Sequence, residues 1–247
     1  LVPRLLDKGH EVIALDSFLY NQTSLLDCCH NKTLAVVNGD ARDQNLVSGL
    51  LKGVDAIFPL ACLTGAPLCA KDPIAAKSTN FEAIKMLLEL RSKEQRIIFP
   101  TTNSGYGVGE KGKYCTEETP MRPVSLYGKL KVEIEKILLD SENTMTFRFA
   151  TVFGTSPRMR LDLLVNDFTY RAVNDRFLVL FEAHFKRNYL HVRDAAGAFV
   201  YGLEHFDQMK GEPYNVGLSD ANISKMELCQ EIQKHLPGFY FTEASIG

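Results

Sequence analysis

The chain has 247 residues, of which 45% are hydrophobic and 23% charged, and its formal net charge is −2. This balance is typical of a globular protein with an ordinary core, and it gives no basic surface for nucleic acid or an anionic membrane. No apolar run approaches the ~20 residues of a membrane-spanning helix, and the first residues lack the apolar core of a secretory signal.

Short apolar strands alternate with helical patterns along the first part of the chain. After a helix tail at 1–9, strands are predicted at 11–16, 33–40, 54–61, 96–102 and 144–154. Helices are predicted between them at 44–51, about 73–91 and 125–140. The alternation indicates an α/β fold with a doubly wound, Rossmann-like parallel sheet. Ligands bind such sheets at the carboxyl ends of the strands.

The pattern changes after about residue 155. An amphipathic helix is predicted at 158–173 and a strand at 177–181, followed by the segment 187–205. A strand at 212–217, a helix at 222–236 and a strand at 239–243 complete the chain.

The stretch from Pro100 to Lys131 carries the chemistry. Thr101 and Thr102 end an apolar strand, and Tyr127 and Lys131 follow on one face of a predicted helix, since residues four apart share a face. A neighbouring ammonium lowers the pKa of a phenol from about 10, which makes the phenol a proton acceptor nearer neutral pH. Thr102 can hydrogen-bond the oxygen that is oxidised or reduced. A Tyr and a Lys at this spacing also occur on the surface of ordinary helices, so the pair needs its context.

That context resembles the extended short-chain dehydrogenase/reductase family, above all its NAD-dependent nucleotide-sugar epimerases and dehydratases. It consists of Thr-Thr-x-x-x-Tyr-Gly after a strand, then Glu118-x-Pro120, then Pro123-x-Ser125-x-Tyr127-Gly-Lys-x-Lys131. The resemblance implies catalytic roles for Thr102, Tyr127 and Lys131. It implies a dinucleotide-binding domain at 1–154 and, at 155–247, mainly a smaller substrate-binding lobe interleaved with it.

The resemblance implies NAD as the cofactor, in preference to NADP. Asp16 stands where the family places the acid that binds the adenosine ribose, and a carboxylate there repels a 2′-phosphate. A plain turn aspartate is the alternative. Asn80 is expected to tether the strand that bears Thr102. Further cofactor contacts are implied for Asp40, Ala41, Leu60, Ala61, Asn80, Thr101, Tyr127 and Lys131.

The resemblance implies a nucleotide-sugar as substrate. Arg187 begins a segment in which the family's Arg binds the diphosphate, and a planar, bidentate guanidinium suits that task. An exposed Arg at a strand edge is the alternative. Thr102, Thr151 and Asn166 are the other predicted substrate contacts, although a position on the helix surface fits Asn166 equally well.

The glycine-rich turn of the family is not found in this sequence. None of the seventeen glycines has the G-x-x-G-x-x-G spacing before a helix that receives the cofactor pyrophosphate. We therefore expect that the first strand and this loop are missing from the chain, and that the substrate lobe is also incomplete at its end. A fragment of a longer enzyme is the favoured explanation. A natural short form with weak or no cofactor binding is the alternative.

The predicted reaction is that of a sugar 4-epimerase acting through a transient keto sugar. Asn103 and Ser104 occupy the positions where 4,6-dehydratases carry an acid pair. A ketoreductase or dehydratase of a nucleotide-sugar is one alternative, and a non-catalytic dinucleotide-binding module is another. Neither the nucleotide base, the sugar nor the inverted carbon is defined by these motifs.

The remaining expectations concern partners and compartment. The resemblance implies a homodimer formed through the helices at about 73–91 and 125–140. No nucleic-acid or membrane partner is expected. The six cysteines include no C-x-x-C pair, which predicts reduced thiols in a cytoplasmic protein without a metal site.

Overall fold

A computed structural model describes residues 1–109 and 114–245 of the chain. The chain divides into two compact units. Unit 1 comprises Leu1–Phe149 and Ala196–Asn215, and unit 2 comprises Ala150–Ala195 and Val216–Gly247. Each unit is therefore built from two separate stretches of sequence.

The strands and helices are numbered in chain order. The strands are β1 (Val12–Asp16), β2 (Leu34–Asn38), β3 (Ala56–Ile57), β4 (Arg96–Thr102), β5 (Thr144–Phe149), β6 (Thr151–Phe153), β7 (Phe177–Leu180), β8 (Lys186–His191), β9 (Pro213–Val216), β10 (Asn222–Ser224) and β11 (Tyr240–Glu243). The helices are α1 (Val2–Asp7), α2 (Gln44–Leu50), α3 (Ala66–Lys71), α4 (Pro73–Lys77), α5 (Ala83–Leu90), α6 (Leu126–Leu139), α7 (Leu164–Asn174), α8 (Val192–Glu204), α9 (Phe206–Met209) and α10 (Lys225–His235).

The two sheets of unit 1 contain parallel strand pairs and are flanked by helices, as the Rossmann-like class predicts. β1 pairs with β2, and a second sheet has the order β3, β4, β5, β9. The β1–β2, β3–β4 and β4–β5 pairs are parallel. The α/β, Rossmann-like class is thus confirmed, with these parallel strands hydrogen-bonded as two sheets.

The core of unit 1 lies between β4 and α6. Ile97 and Phe99 of β4 are buried, as expected for a strand of a parallel sheet covered on its faces. Ile134 and Leu138 are buried one helical turn apart on α6 and pack in the same cluster. Ser125 caps α6 by accepting a hydrogen bond from the amide of Gly128 at 3.1 Å. This packing holds the two elements that carry the predicted catalytic residues.

Unit 2 has its own core and two small sheets. β6, β8 and β10 form one sheet, with β8 central, and β7 pairs with β11. Phe168 of α7, Leu178 of β7 and Phe239 pack in one buried cluster. Ser224 and Glu227 form a capping box at the start of α10, which fixes the entry of that helix.

Two predicted elements are divided in the structure. The strand predicted at 144–154 forms β5 and β6, which lie in different sheets, and the helix predicted at 222–236 begins only at Lys225, after β10.

Three further predicted elements differ in their bounds or continuity. β3 contains only Ala56–Ile57 instead of 54–61, since only these two residues pair with β4, and the loop that follows is bound at Leu63 by the side chain of Asn80. α7 begins at Leu164 instead of 158, after a loop whose carbonyl at Arg160 is bound by Asn166. The predicted helix at 73–91 is interrupted by a π-helical turn at Ser78–Glu82.

Candidate active site

Lys131 is a buried cation at the end of β4. It is 3% exposed, and its ammonium donates to the carbonyl oxygen of Pro100 at 2.8 Å. The ammonium also lies 4.2 Å from the centre of the Phe99 ring, a cation–π distance. Desolvation by burial lowers the pKa of Lys131 below its ordinary value, and the thiols of Cys62 and Cys69 partly oppose this.

Tyr127 lies on the same helix as this cation, and Thr102 lies on the strand to which the cation donates. Tyr127 is half-buried, one helical turn before Lys131, and packs against the core of unit 1. Thr102 follows Pro100 by two residues, at the carboxyl end of β4. Its hydroxyl donates to the Ser104 hydroxyl and accepts from the Ser104 amide, both at 3.1 Å, and so caps a short 3₁₀ turn. The fold therefore brings the strand end with Thr102 to the helix that bears Tyr127 and Lys131.

Thr101 faces the interior instead of the strand end. It is buried, and its hydroxyl donates to a carboxylate oxygen of Glu135 at 2.7 Å. Glu135 lies one turn beyond Lys131 on α6 and forms a buried ion pair with Arg148 of β5, at 2.7 Å between Nη2 and Oε1. Although burial opposes it, hydrogen bonding to Glu135 and Tyr106 raises the pKa of Arg148.

This pair was not predicted from the sequence. The available signal was the spacing of Glu135, eight residues after Tyr127, which puts a charged residue on the face of α6 that points inward. A buried carboxylate requires a partner. The partner, Arg148, lies on β5, and the sequence pattern of a helix does not predict which residue of a strand will pair with it.

The loop after β4 is held by backbone contacts. The amide of Arg122 donates to the carbonyl of Gly105 at 2.9 Å. Gly107 has a φ of +76°, and a Cβ there would collide with the carbonyl oxygen of Arg122. Glycine is thus required beside Tyr106, the residue that Arg148 contacts at 2.9 Å.

The predicted adenosine-binding residues lie at the ends of β1 and β2. Asp16 is exposed, and one of its carboxylate oxygens accepts from the amide of Phe18 at 2.8 Å. Asp40 holds Arg42 through hydrogen bonds at 3.0 Å from Nε to both carboxylate oxygens. Hydrogen bonding to Arg42 keeps the pKa of Asp40 below its usual range. Ala41 lies between them and is half-buried.

Asn80 fixes the loop that follows β3. It is 1% exposed within the π-helical turn; its side-chain oxygen accepts from the Leu63 amide at 2.8 Å, and its nitrogen donates to the Leu63 carbonyl at 2.9 Å. The expectation that Asn80 tethers the strand of Thr102 is therefore wrong, because its amide is bonded to the loop after β3. Leu60 and Ala61, the predicted cofactor contacts of this loop, are both exposed.

The predicted substrate residues outside β4 all lie in unit 2. Thr151 is half-buried in β6, and Arg187 is exposed on β8, opposite Ile223 of β10. Asn166 is buried on α7, where its oxygen accepts from the Gly154 amide and its nitrogen donates to the Arg160 carbonyl, both at 3.0 Å. Its side chain thus holds a loop of this unit.

Two residues of unit 1 have side chains suited to bind the two riboses of an adenine dinucleotide. An exposed carboxylate at the end of β1, Asp16, suits a ribose diol. The buried ammonium of Lys131 beside the end of β4 suits the ribose and ring at the other end of the cofactor.

Other site classes receive no support from residues 1–109 and 114–245. Within them no group of three or more His, Cys, Asp or Glu side chains is placed to hold a metal ion. No helix in these ranges is long and apolar enough to cross a membrane. All six cysteines are free thiols.

Comparisons with known proteins give consistent matches over nearly the whole chain. The family model described as NAD dependent epimerase/dehydratase family matches residues 1–217. An uncharacterized UDP-glucose epimerase, YtcB, of Bacillus subtilis is 28% identical over 264 residues, which cover 98% of this chain and 80% of that protein.

Two solved structures illustrate the similarity of fold. UDP-glucuronic acid 4-epimerase from Bacillus cereus, in complex with UDP-glucuronic acid and NAD, has a TM-score of 0.85 at 22% identity, covering 98% of this chain and 80% of that one. The dTDP-glucose 4,6-dehydratase DesIV from Streptomyces venezuelae, with NAD and TYD bound, has a TM-score of 0.84 at 22% identity. The match covers 99% of this chain and 80% of that one. Epimerases and dehydratases thus share this fold with the chain.

Proposed function

Because the chain belongs to the NAD-dependent epimerase/dehydratase family, we propose that it is a 4-epimerase-type enzyme acting on a nucleotide-activated sugar. The family predicted from the motifs, the enzyme class and NAD as the cofactor are confirmed. The observation that carries the proposal is the position of Lys131, buried beside the end of β4 and one helical turn from Tyr127.

Each of the three predicted catalytic residues has one task in this proposal. The Tyr127 oxygen removes the proton of a sugar hydroxyl and later returns it, as a general base and acid. The Lys131 ammonium stabilises the phenolate charge on Tyr127 and binds the nicotinamide ribose. The Thr102 hydroxyl, which caps the 3₁₀ turn, hydrogen-bonds the same sugar oxygen. Bound NAD would supply a reversible hydride acceptor for the sugar carbon, so that the keto sugar can form, rotate and be reduced on its other face.

The residues after Thr102 favour epimerisation over loss of water. Asn103 and Ser104 form the 3₁₀ turn at the end of β4, and the Ser104 hydroxyl is bonded to Thr102. Neither side chain is a carboxylic acid that could protonate a leaving hydroxyl. The nucleotide diphosphate is assigned to Arg187, because an exposed guanidinium binds two phosphate oxygens at once.

The assembly and compartment belong to the same proposal. We assign a homodimer formed through the helices at 73–90 and α6. The free state of all six cysteines supports a reducing compartment such as the cytoplasm.

The test is to incubate the full chain with NAD and a panel of UDP-, GDP-, CDP- and dTDP-sugars and to follow new sugar epimers by NMR. Tyr127→Phe should lower kcat by about 10³-fold, because it removes the proton acceptor. Tyr170→Phe is the matched control, since Tyr170 is exposed on α7, and it should leave kcat unchanged. Near-normal turnover by Tyr127→Phe would refute the assignment. NAD binding without turnover across the panel would favour a non-catalytic module.

A further inference from the structure

One buried carboxylate, that of Glu135, connects α6 to two strands. Its Oε2 accepts from the hydroxyl of Thr101 in β4 at 2.7 Å and from that of Thr146 in β5 at 3.2 Å. Its Oε1 accepts from Nε and Nη2 of Arg148 at 3.0 and 2.7 Å. Four hydrogen bonds thus converge on one side chain that is 3% exposed.

Arg148 extends these contacts to the loop between β4 and α6. Its Nη1 donates to the Tyr106 hydroxyl at 2.9 Å and to the backbone carbonyl of Glu117 at 2.8 Å. The Tyr106 hydroxyl in turn donates to Asn215 at 2.7 Å, and the Glu117 carboxylate accepts from the Asn215 amide at 2.6 Å. The 3₁₀ turn that Thr102 caps ends at Tyr106, so the turn is held at both ends.

The elements joined in this way are those that carry the proposed chemistry. Glu135 lies one turn beyond Lys131, and the two residues bond to Thr101 and Pro100, which directly precede Thr102. Two successive turns of α6 are therefore attached to successive residues of β4. A gain in stability is a weak explanation for this arrangement, since a buried ion pair can often be replaced by apolar residues without loss of folding free energy.

We propose that Glu135 and Arg148 are positioning residues, whose ion pair holds α6 and the turn after β4 so that Tyr127 and Lys131 meet the sugar oxygen held by Thr102. This inference rests on the proposed function. Neither residue is assigned a contact with substrate or cofactor. Their effect is exerted through Thr101 and Tyr106, whose side chains they hold.

The main test is the double variant Glu135→Gln/Arg148→Gln. Removing both charges together avoids leaving one buried charge without its partner, which is the destabilising case. We expect kcat to fall about 100-fold, because a small misplacement of reacting groups has effects of that size. KM for the nucleotide-sugar should remain within about threefold, since no substrate contact is lost. A folded double variant with kcat near that of the wild type overturns the proposal.

Two further variants separate positioning from general loss of stability. Thr101→Val removes only the hydroxyl that Glu135 accepts from β4, and it should lower kcat about 10-fold even if the double variant does not fold. Gln95→Met is the matched control, because Gln95 is buried in the same unit and bonds to the carbonyls of Leu51 and Val54, away from α6. It should lower the melting temperature and leave kcat unchanged. If kcat falls equally in Gln95→Met and Thr101→Val, the positioning role of Glu135 and Arg148 is refuted.

Amide hydrogen exchange gives a readout that does not depend on turnover. In Thr101→Val, exchange should become faster in α6 and in the turn at Asn103–Tyr106, and in Gln95→Met it should not. If the wild-type chain binds NAD but converts none of the nucleotide-sugars, the proposed function fails, and this comparison alone decides the positioning role. Unchanged protection of α6 in Thr101→Val overturns it.

Discussion

Lys131, one of the proposed catalytic residues, lies in an environment that is unfavourable for a charge. Its ammonium is buried and has the carbonyl of Pro100 and the face of Phe99 as partners. Burial lowers its pKa, so the folded protein holds this proton less tightly than the unfolded chain does. A residue that costs stability in this way is common in active sites, which agrees with the role proposed for Lys131.

Replacing Lys131 with Met should therefore abolish the proposed epimerisation and raise the stability of the fold at neutral pH by about 1 kcal/mol, within the range of single stabilising substitutions. The wild-type folded pKa lies below the unfolded value of 10.5, so the unfolded chain binds more protons between the two. Wild-type stability consequently rises as pH increases through that window, and the variant lacks this rise. Urea unfolding at a series of pH values measures both curves.

The control for this experiment is Lys129→Met on the same helix. Lys129 is exposed, so its replacement should leave the stability at neutral pH unchanged. A Lys131→Met variant that is less stable than the wild type at neutral pH would contradict the argument, because the hydrogen bond to Pro100 would then outweigh the desolvation of the charge.

Among the secondary-structure elements, the π-helical turn at Ser78–Glu82 has the clearest link to the site. Short π segments within helices are frequent at functional sites. Here the turn buries Asn80, whose amide holds both backbone groups of Leu63. The loop from β3 to Leu63 contains Leu60 and Ala61, which the family resemblance assigns to the cofactor. The turn is therefore attached to this loop rather than to β4, and any effect on the proposed cofactor site is exerted through the loop.

Asn80→Ala should destabilise the protein by about 2 kcal/mol, because the amide and carbonyl of Leu63 lose their partner in a partly buried place. The loop should also become mobile, and the Kd for NAD should rise. Thermal unfolding and a titration with NAD measure these effects. Asn174→Ala is the control, since Asn174 is exposed and bonds only locally, to the Tyr170 carbonyl at 2.8 Å. Equal effects of the two substitutions would contradict a specific role for Asn80.

Elements dominated by local sequence were predicted well, and those decided by tertiary contacts were not. The strand predicted at 96–102 is β4 with the same bounds, and the helix predicted at 125–140 is α6, because apolar periodicity and the Ser125 cap act locally. β3 is short because only Ala56 and Ile57 pair with β4, and the loop after it is bound at Leu63 by Asn80, seventeen residues further along the chain. The pairing of Glu135 with Arg148 likewise depends on a strand that no helical pattern specifies.

At the scale of the whole molecule, short motifs were sufficient to predict the family and the α/β class. The spacing of Thr102, Tyr127 and Lys131 defined the family, and the family model covers residues 1–217. The division into two units, each built from two stretches, follows from contacts between distant parts of the chain. Such contacts leave little trace in a single sequence, so no pattern places the return of the chain to unit 1 at Ala196.

The proposed homodimer makes a prediction about the surface of α4. Ile74 is 84% exposed and lies in an open groove with Lys77, Ser78 and Glu82, at the start of a helix assigned to the dimer. A large apolar side chain left in water favours a contact between copies, since its burial contributes about 1.5–3 kcal/mol. Ile74→Glu should therefore weaken the dimer by at least about tenfold in Kd and shift the chain toward monomer.

Sedimentation velocity over a range of protein concentrations measures this shift. Val108→Glu is the matched control, because Val108 is 87% exposed but lies in the loop after β4 rather than on a dimer helix. It should leave the association unchanged, since the charge it introduces stays in water in both states. A wild-type chain that sediments as a monomer throughout would contradict the homodimer itself. A dimer that tolerates Ile74→Glu would place the interface away from α4, because a carboxylate buried at an apolar contact without a partner is strongly unfavourable.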